Sequence, residues 1–199
     1  MEVLLLVGLL ALNTFISWYN AKVCGTYWEE SKVLGGFPRV LMWCGAIQSA
    51  IGFSMLFLLV MLGVAHLTGH LPPELAHATV SLWYLLVILP CIGTGLIITA
   101  HSWVIAWRDR SWQNMGAAAW NTFSTGMNIY DLANGGGATA LNNIGELFSS
   151  DSDDDGRLGR IAIGMVLVAI VGGAMLTAWI IRTYSQQACS EMCAKAAAA

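Results

Sequence analysis

The residues whose types could do chemistry lie mostly between and after the apolar stretches. Asp151-Ser152-Asp153-Asp154-Asp155-Gly156 puts carboxylates at positions one, three and five of a calcium-loop pattern and glycine at six. That chemistry also needs a bidentate carboxylate at position twelve, which here is Ala162, while position nine is Gly159. A hard cation would find three or four oxygens and no closing ligand. Asp151, Asp153 and Asp155 are therefore read as a weak divalent site at most, against a plain reading as a solvated acidic linker.

His66, His70 and His77 form the other metal candidate. His66 and His70 share a helical face if the helix runs that far, and His77 follows across a short link. Imidazole ligates zinc, copper and haem iron, but only Glu74 stands nearby as a second ligand type. A membrane haem site needs histidine pairs on facing helices, and only His101 is placed near a span, so no cofactor is expected. Cys189 and Cys193, four residues apart near the end of the chain, could form a disulfide in an oxidising compartment. Cys24, Cys44 and Cys91 read as small packing residues. No nucleophile elbow, zincin helix, phosphate loop or dinucleotide fingerprint occurs, and no Cys-x-x-Cys. The basic residues are scattered at a formal charge of −3, which gives nucleic acid no patch to bind.

The elements that must position these residues follow from composition. Hydrophobic residues make up 57% of the 199 and charged residues 11%; a soluble domain has roughly 45–50% and about 25%. So little charge cannot cover a water-facing surface, and lipid must face much of the chain. About 20 helical residues cross a hydrocarbon core of about 30 Å. Four stretches without interior Asp, Glu, Lys or Arg fit or nearly fit: 3–19, 40–66, 80–106 and 161–181. The acidic Met1-Glu2 start and the lack of a cleavage pattern before Trp18 argue for a retained helix rather than a signal peptide. Trp83-Tyr84 and Trp103 stand twenty residues apart, as interfacial aromatics would. Pro90 to Gly95 predicts a kink in the third span.

The expected fold is all-α, a single polytopic membrane domain over 1–199 with four transmembrane helices plus an amphipathic helical hairpin between the third and fourth. That segment, 108–160 with the acidic linker 151–155, carries only Asp131 and Glu146 as ionisable residues between Ser111 and Ser150. Trp112, Met115, Ala119, Phe123, Met127 and Tyr130 recur at helical steps, Gly135-Gly136-Gly137 breaks the pattern, and Leu141, Ile144, Leu147 and Phe148 begin a second face. Seven of the nine basic residues fall in the first link and in this segment, which the positive-inside bias places in the cytoplasm with both termini outside.

Function is then expected to be non-enzymatic: a self-associating or accessory component of a membrane assembly, of the kind found in bacterial envelopes, phages and mobile elements. Trp112, Phe123, Met127 and Tyr130 are the expected association residues. The partners are the lipid bilayer, further copies of the chain, or other membrane proteins. Small-residue pairs such as Gly45 with Ser49, Ala46 with Ala50, and Ala174 with Ala178 support close helix contact. An oligomeric channel, and a metal-dependent membrane enzyme using His66, His70 and His77, are the alternatives.

Overall fold

The computed structural model describes residues 2–69, 71–149 and 153–198, with side chains described over 7–69, 71–145 and 158–190. The chain is all-helical in the order α1 (Glu2–Leu34), α2 (Gly36–Leu67), α3 (Pro73–Arg108), α4 (Trp112–Asp131), a π turn (Leu132–Gly136), α5 (Gly137–Ser149) and α6 (Asp153–Ala198). Three stretches are long and apolar enough to cross a membrane: Gly36–Leu67, Pro73–Arg108 and Leu158–Ser190. Their 32, 36 and 33 residues each exceed the roughly 20 that a hydrocarbon core requires. The first expected span, 3–19, lies within α1, and residues 2–6 have no described side chains.

Two features depart from the local expectations. The expected link between 3–19 and 40–66 is mostly helix: α1 runs on to Leu34, and Gly35 and Gly36 make the turn with φ of 57° and 55°. Those left-handed angles admit glycine where a side chain would clash, and Gly35 N–H closes the helix end on Ser31 O at 3.1 Å. Pro90 does not interrupt α3 either. The Thr94 hydroxyl donates to Pro90 O at 2.7 Å, so this polar side chain finds its partner within the helix itself.

Two compact units divide the chain, residues 1–56 with 171–199, and residues 57–170. In the first unit, α1 runs antiparallel to the early part of α2. Asn13 Nδ2 donates to Gly52 O at 3.0 Å, and further on Trp28 meets Trp43 edge-on with centroids 5.9 Å apart. Late α6 completes the unit: Ala21, Phe53 and Ile180 form its buried centre, with Trp18, Leu176 and Tyr184 against it. Glycines set the close approaches. A Cβ on Gly173 would lie 2.5 Å from Ala50 O, and one on Gly25 would lie 2.7 Å from Ile181 O.

In the second unit, late α2 and early α6 pack through Leu58, Leu62, Val166 and Ala169. Leu75 and Ala78 of α3 pack with Ala162 and Leu158 of α6. The starts of α3 and α6 are therefore neighbours. The buried Thr79 and Thr94 hydroxyls are satisfied within α3 itself, on Leu75 O at 2.6 Å and Pro90 O at 2.7 Å, so neither needs water.

Candidate functional site

Polar residues recur on α4 every seven positions as Asn114, Asn121 and Asn128, with Ser111, Ala118, Thr125 and Leu132 completing one heptad-spaced stripe. This is the stripe α4 turns inward. Ala118 and Thr125 are buried, and the other five are half-buried. Ser111 caps the helix by accepting from Asn114 N–H, and Asn114 Nδ2 donates back to Asp109 at 2.9 Å.

The stripe and its flank are bonded to α3. Trp103 Nε1 donates to Thr122 Oγ1 at 2.8 Å, and the Thr99 and Thr125 hydroxyls pair at 3.2 Å. Asn128 Nδ2 donates to Cys91 Sγ at 3.4 Å, and Tyr84 Oη to Asp131 Oδ2 at 2.6 Å. Partners on α3 step from 103 down to 84 while α4 steps from 122 up to 131, so the helices are antiparallel. Gly95 gives the closest approach, since a Cβ there would lie 2.7 Å from Thr125 Oγ1.

The opposite face is apolar and uncovered. Trp112 is 91% exposed, Tyr130 64%, Phe123 60% and Met127 50%, with Met115, Trp120 and Ile129 also exposed. A surface helix in water shows the reverse arrangement, apolar in and polar out. α4 is amphipathic inside out. All four expected association residues lie on this outer face.

The glycine-rich break falls directly after Asp131. Asn134 and Gly135 leave helical geometry, Gly135 with φ of 97°, a left-handed angle that glycine adopts without strain. Asn134 Nδ2 covers the freed Tyr130 O at 2.8 Å. A Cβ on Gly136 would lie 2.6 Å from Asp131 Oδ2 and 2.9 Å from Tyr84 Oη, so glycine there makes room for the Tyr84–Asp131 pair. α5 also packs on α3, with Asn143 Nδ2 donating to Ser81 Oγ at 2.9 Å. Twelve residues of straight helix advance about 18 Å, yet the chain from 131 to 143 returns to within one turn of Tyr84 on α3. The break is thus a bend. Both arms share α3 as their support.

The first unit holds a groove of about 580 Å³, lined by Ala46, Ala50, Ala174 and Ala178 on its floor and by Trp28, Trp43 and Arg182 among others. The small residues singled out in the sequence therefore border open space here, and the tight contact lies beside them at Gly173. Thr177 lines this groove, and its hydroxyl is buried without a hydrogen-bond partner among the described residues. Glu29 at the rim accepts from Lys32 at 3.0 Å and from Ser185 at 3.3 Å.

The other expected residues do not converge. Among the described residues no group of three His, Cys, Asp or Glu comes together. His66 is exposed in the last turn of α2 and His77 is exposed on α3, whereas His70 and Asp151 fall outside the described residues. The side chains of Asp153, Asp155 and Cys193 do so as well, and Cys189 is exposed on late α6. The sequence pattern grouped Trp112, Phe123, Met127 and Tyr130 on one face but missed the α3 partners Tyr84, Cys91, Thr99 and Trp103 of α4 and the α3 partner Ser81 of α5. The seven-residue asparagine spacing was the available signal. Comparison with family models, with curated proteins and with solved structures finds no match to the chain.

Proposed function

We propose that the chain is a non-enzymatic integral membrane protein that associates with further copies of itself through the outer face of α4, as a structural or accessory component of a membrane assembly. The observation that carries this reading is the reversed amphipathicity of α4. Its polar stripe is occupied by α3, so Trp112, Phe123, Met127 and Tyr130 are left to meet something apolar. Exposed apolar patches of this kind mark membrane or protein contacts. The test is particle mass in mild detergent. Phe123→Asp is expected to reduce an oligomer to the single chain while the protein stays extractable and helical; a monomeric parent, or an unchanged mass for the variant, contradicts the association.

A channel is the second reading, supported by the neutral polar seam that ends at the exposed Asp131 carboxylate. Ionisable groups near membrane depth are functional candidates by default. Ion conductance in planar bilayers, lost in Asp131→Asn, would favour it over a purely structural role. Four crossings with both termini outside is the arrangement drawn from the basic residues. It holds only if everything between α3 and α6 stays on one side of the membrane.

A further inference from the structure

We propose that α4 crosses the membrane, its outer face lying at the depth of the hydrocarbon, where a further copy of the chain can also meet it, so that the chain between α3 and α6 changes sides.

Three independent observations carry this. The first is connectivity within the second unit. Leu75 and Ala78 at the start of α3 pack with Leu158 and Ala162 at the start of α6. Both helices are long and apolar enough to span, so the two starts share one face of the membrane. Arg108, at the far end of α3, stands on the other face. The chain that leaves at Arg108 must therefore come back across before Leu158. A segment confined to the cytoplasm cannot make that return.

The second observation is length and charge. Ser111 to Tyr130 is an uncharged run of twenty residues between Arg110 and Asp131. Twenty helical residues reach about 30 Å, the depth of a hydrocarbon core. The second half of α4, Thr122 to Asp131, is bonded to α3 residues from Trp103 to Tyr84 in the apolar part of that span. α4 thus lies beside the stretch of α3 that occupies the bilayer.

The third is the placing of polar groups. In hydrocarbon, Asn and Thr must find partners on neighbouring helices. The Thr122, Thr125 and Asn128 side chains find them on α3, and the large outward residues are Trp, Met, Phe, Ile and Tyr, with Ser124 among the small ones and Gln113 exposed near the helix start. Hydrocarbon is the surrounding that suits both faces of α4 at once.

The orientation changes with it. If α4 crosses, Lys22, Lys32, Arg39, Arg108, Arg110, Arg182 and Lys195 share one side and Arg157 and Arg160 the other. That is again seven against two, the same bias as before with different members, so basic residues alone do not choose between the arrangements. The first unit agrees with the new grouping. There Ser185 Oγ donates to Glu29 beside Lys32, which sets the end of the α6 span at the α1–α2 turn. The end of α6, with Cys189, then lies in the cytoplasm.

The test is sided labelling with a membrane-impermeant maleimide on intact cells and on inverted vesicles. Two single-thiol variants, Gln113→Cys and Asn142→Cys, are made with the five native cysteines replaced. They are expected to lose labelling on opposite sides, Gln113→Cys in intact cells and Asn142→Cys in inverted vesicles. A second comparison uses the native tail thiols and Thr68→Cys in the link between α2 and α3, without altering α4. These are expected to label from opposite faces. Labelling of either pair from one face overturns the proposal. This outcome is separate from the association reading, since a monomer can be threaded this way and an oligomer need not be.

Discussion

The hydroxyl of Tyr84 donates a 2.6 Å hydrogen bond to Oδ2 of Asp131, joining residues 47 apart in sequence at the point where α4 ends. Without the pair, a carboxylate would stand at the margin of a long apolar helix with no donor aimed at it. Tyr84→Phe and Asp131→Ala are each expected to destabilise the protein, and their effects are expected to fall short of additive by about 1 kcal/mol, the usual scale for a single hydrogen bond. A double-mutant cycle by thermal unfolding in detergent measures this, and strict additivity would show the bond to be idle.

Two glycines of α6 make opposite predictions. A Cβ at Gly173 would meet Ala50 O at 2.5 Å and Ser54 N at 2.6 Å, both backbone atoms that cannot swing away. Gly173→Ala is expected to cost roughly 1–3 kcal/mol, the range for overpacking. Gly164 has nothing within 4 Å of the same position, so Gly164→Ala is expected to stabilise by about 0.5–1 kcal/mol through helix propensity. Unfolding midpoints of the two variants, measured side by side, should move in opposite directions.

Thr177 carries a buried hydroxyl with no partner among the described residues. Thr177→Val keeps the shape and removes the unsatisfied group, so it is expected to raise stability by about 1 kcal/mol. A lowered midpoint would show that the hydroxyl is bonded in the folded protein, to water or to a molecule held in the groove beside it.

Much of the fold was legible because a membrane span is a property of composition. Uncharged runs around α2, α3 and α6 need no partner to be recognised, and the three long apolar helices lie where such runs predict them. The role of α4 was not legible for a physical reason. Helical periodicity shows that Trp112, Phe123, Met127 and Tyr130 share one face and Asn114, Asn121 and Asn128 another. It does not show which face looks inward. Reading polar as outward is right in water and reversed in lipid, and the choice depends on Thr99, Trp103 and Cys91 of α3, partners that α4's own sequence does not reveal. Likewise the basic residues around the first link suggested a loop, because charge marks the membrane boundary and not the end of a helix that continues to Leu34.

The surroundings of α4 at its midpoint decide most directly between lipid and water. Trp120 is exposed on the outer face, close to the centre of the uncharged run and apart from the four association residues. With Trp120→Cys carrying a nitroxide in liposomes, relaxation by dissolved oxygen is expected to exceed relaxation by a water-soluble nickel chelate, and a label at Gln113 should show a smaller excess. A nitroxide at position 120 that the nickel chelate reaches as readily as oxygen would place α4 in water and contradict the account.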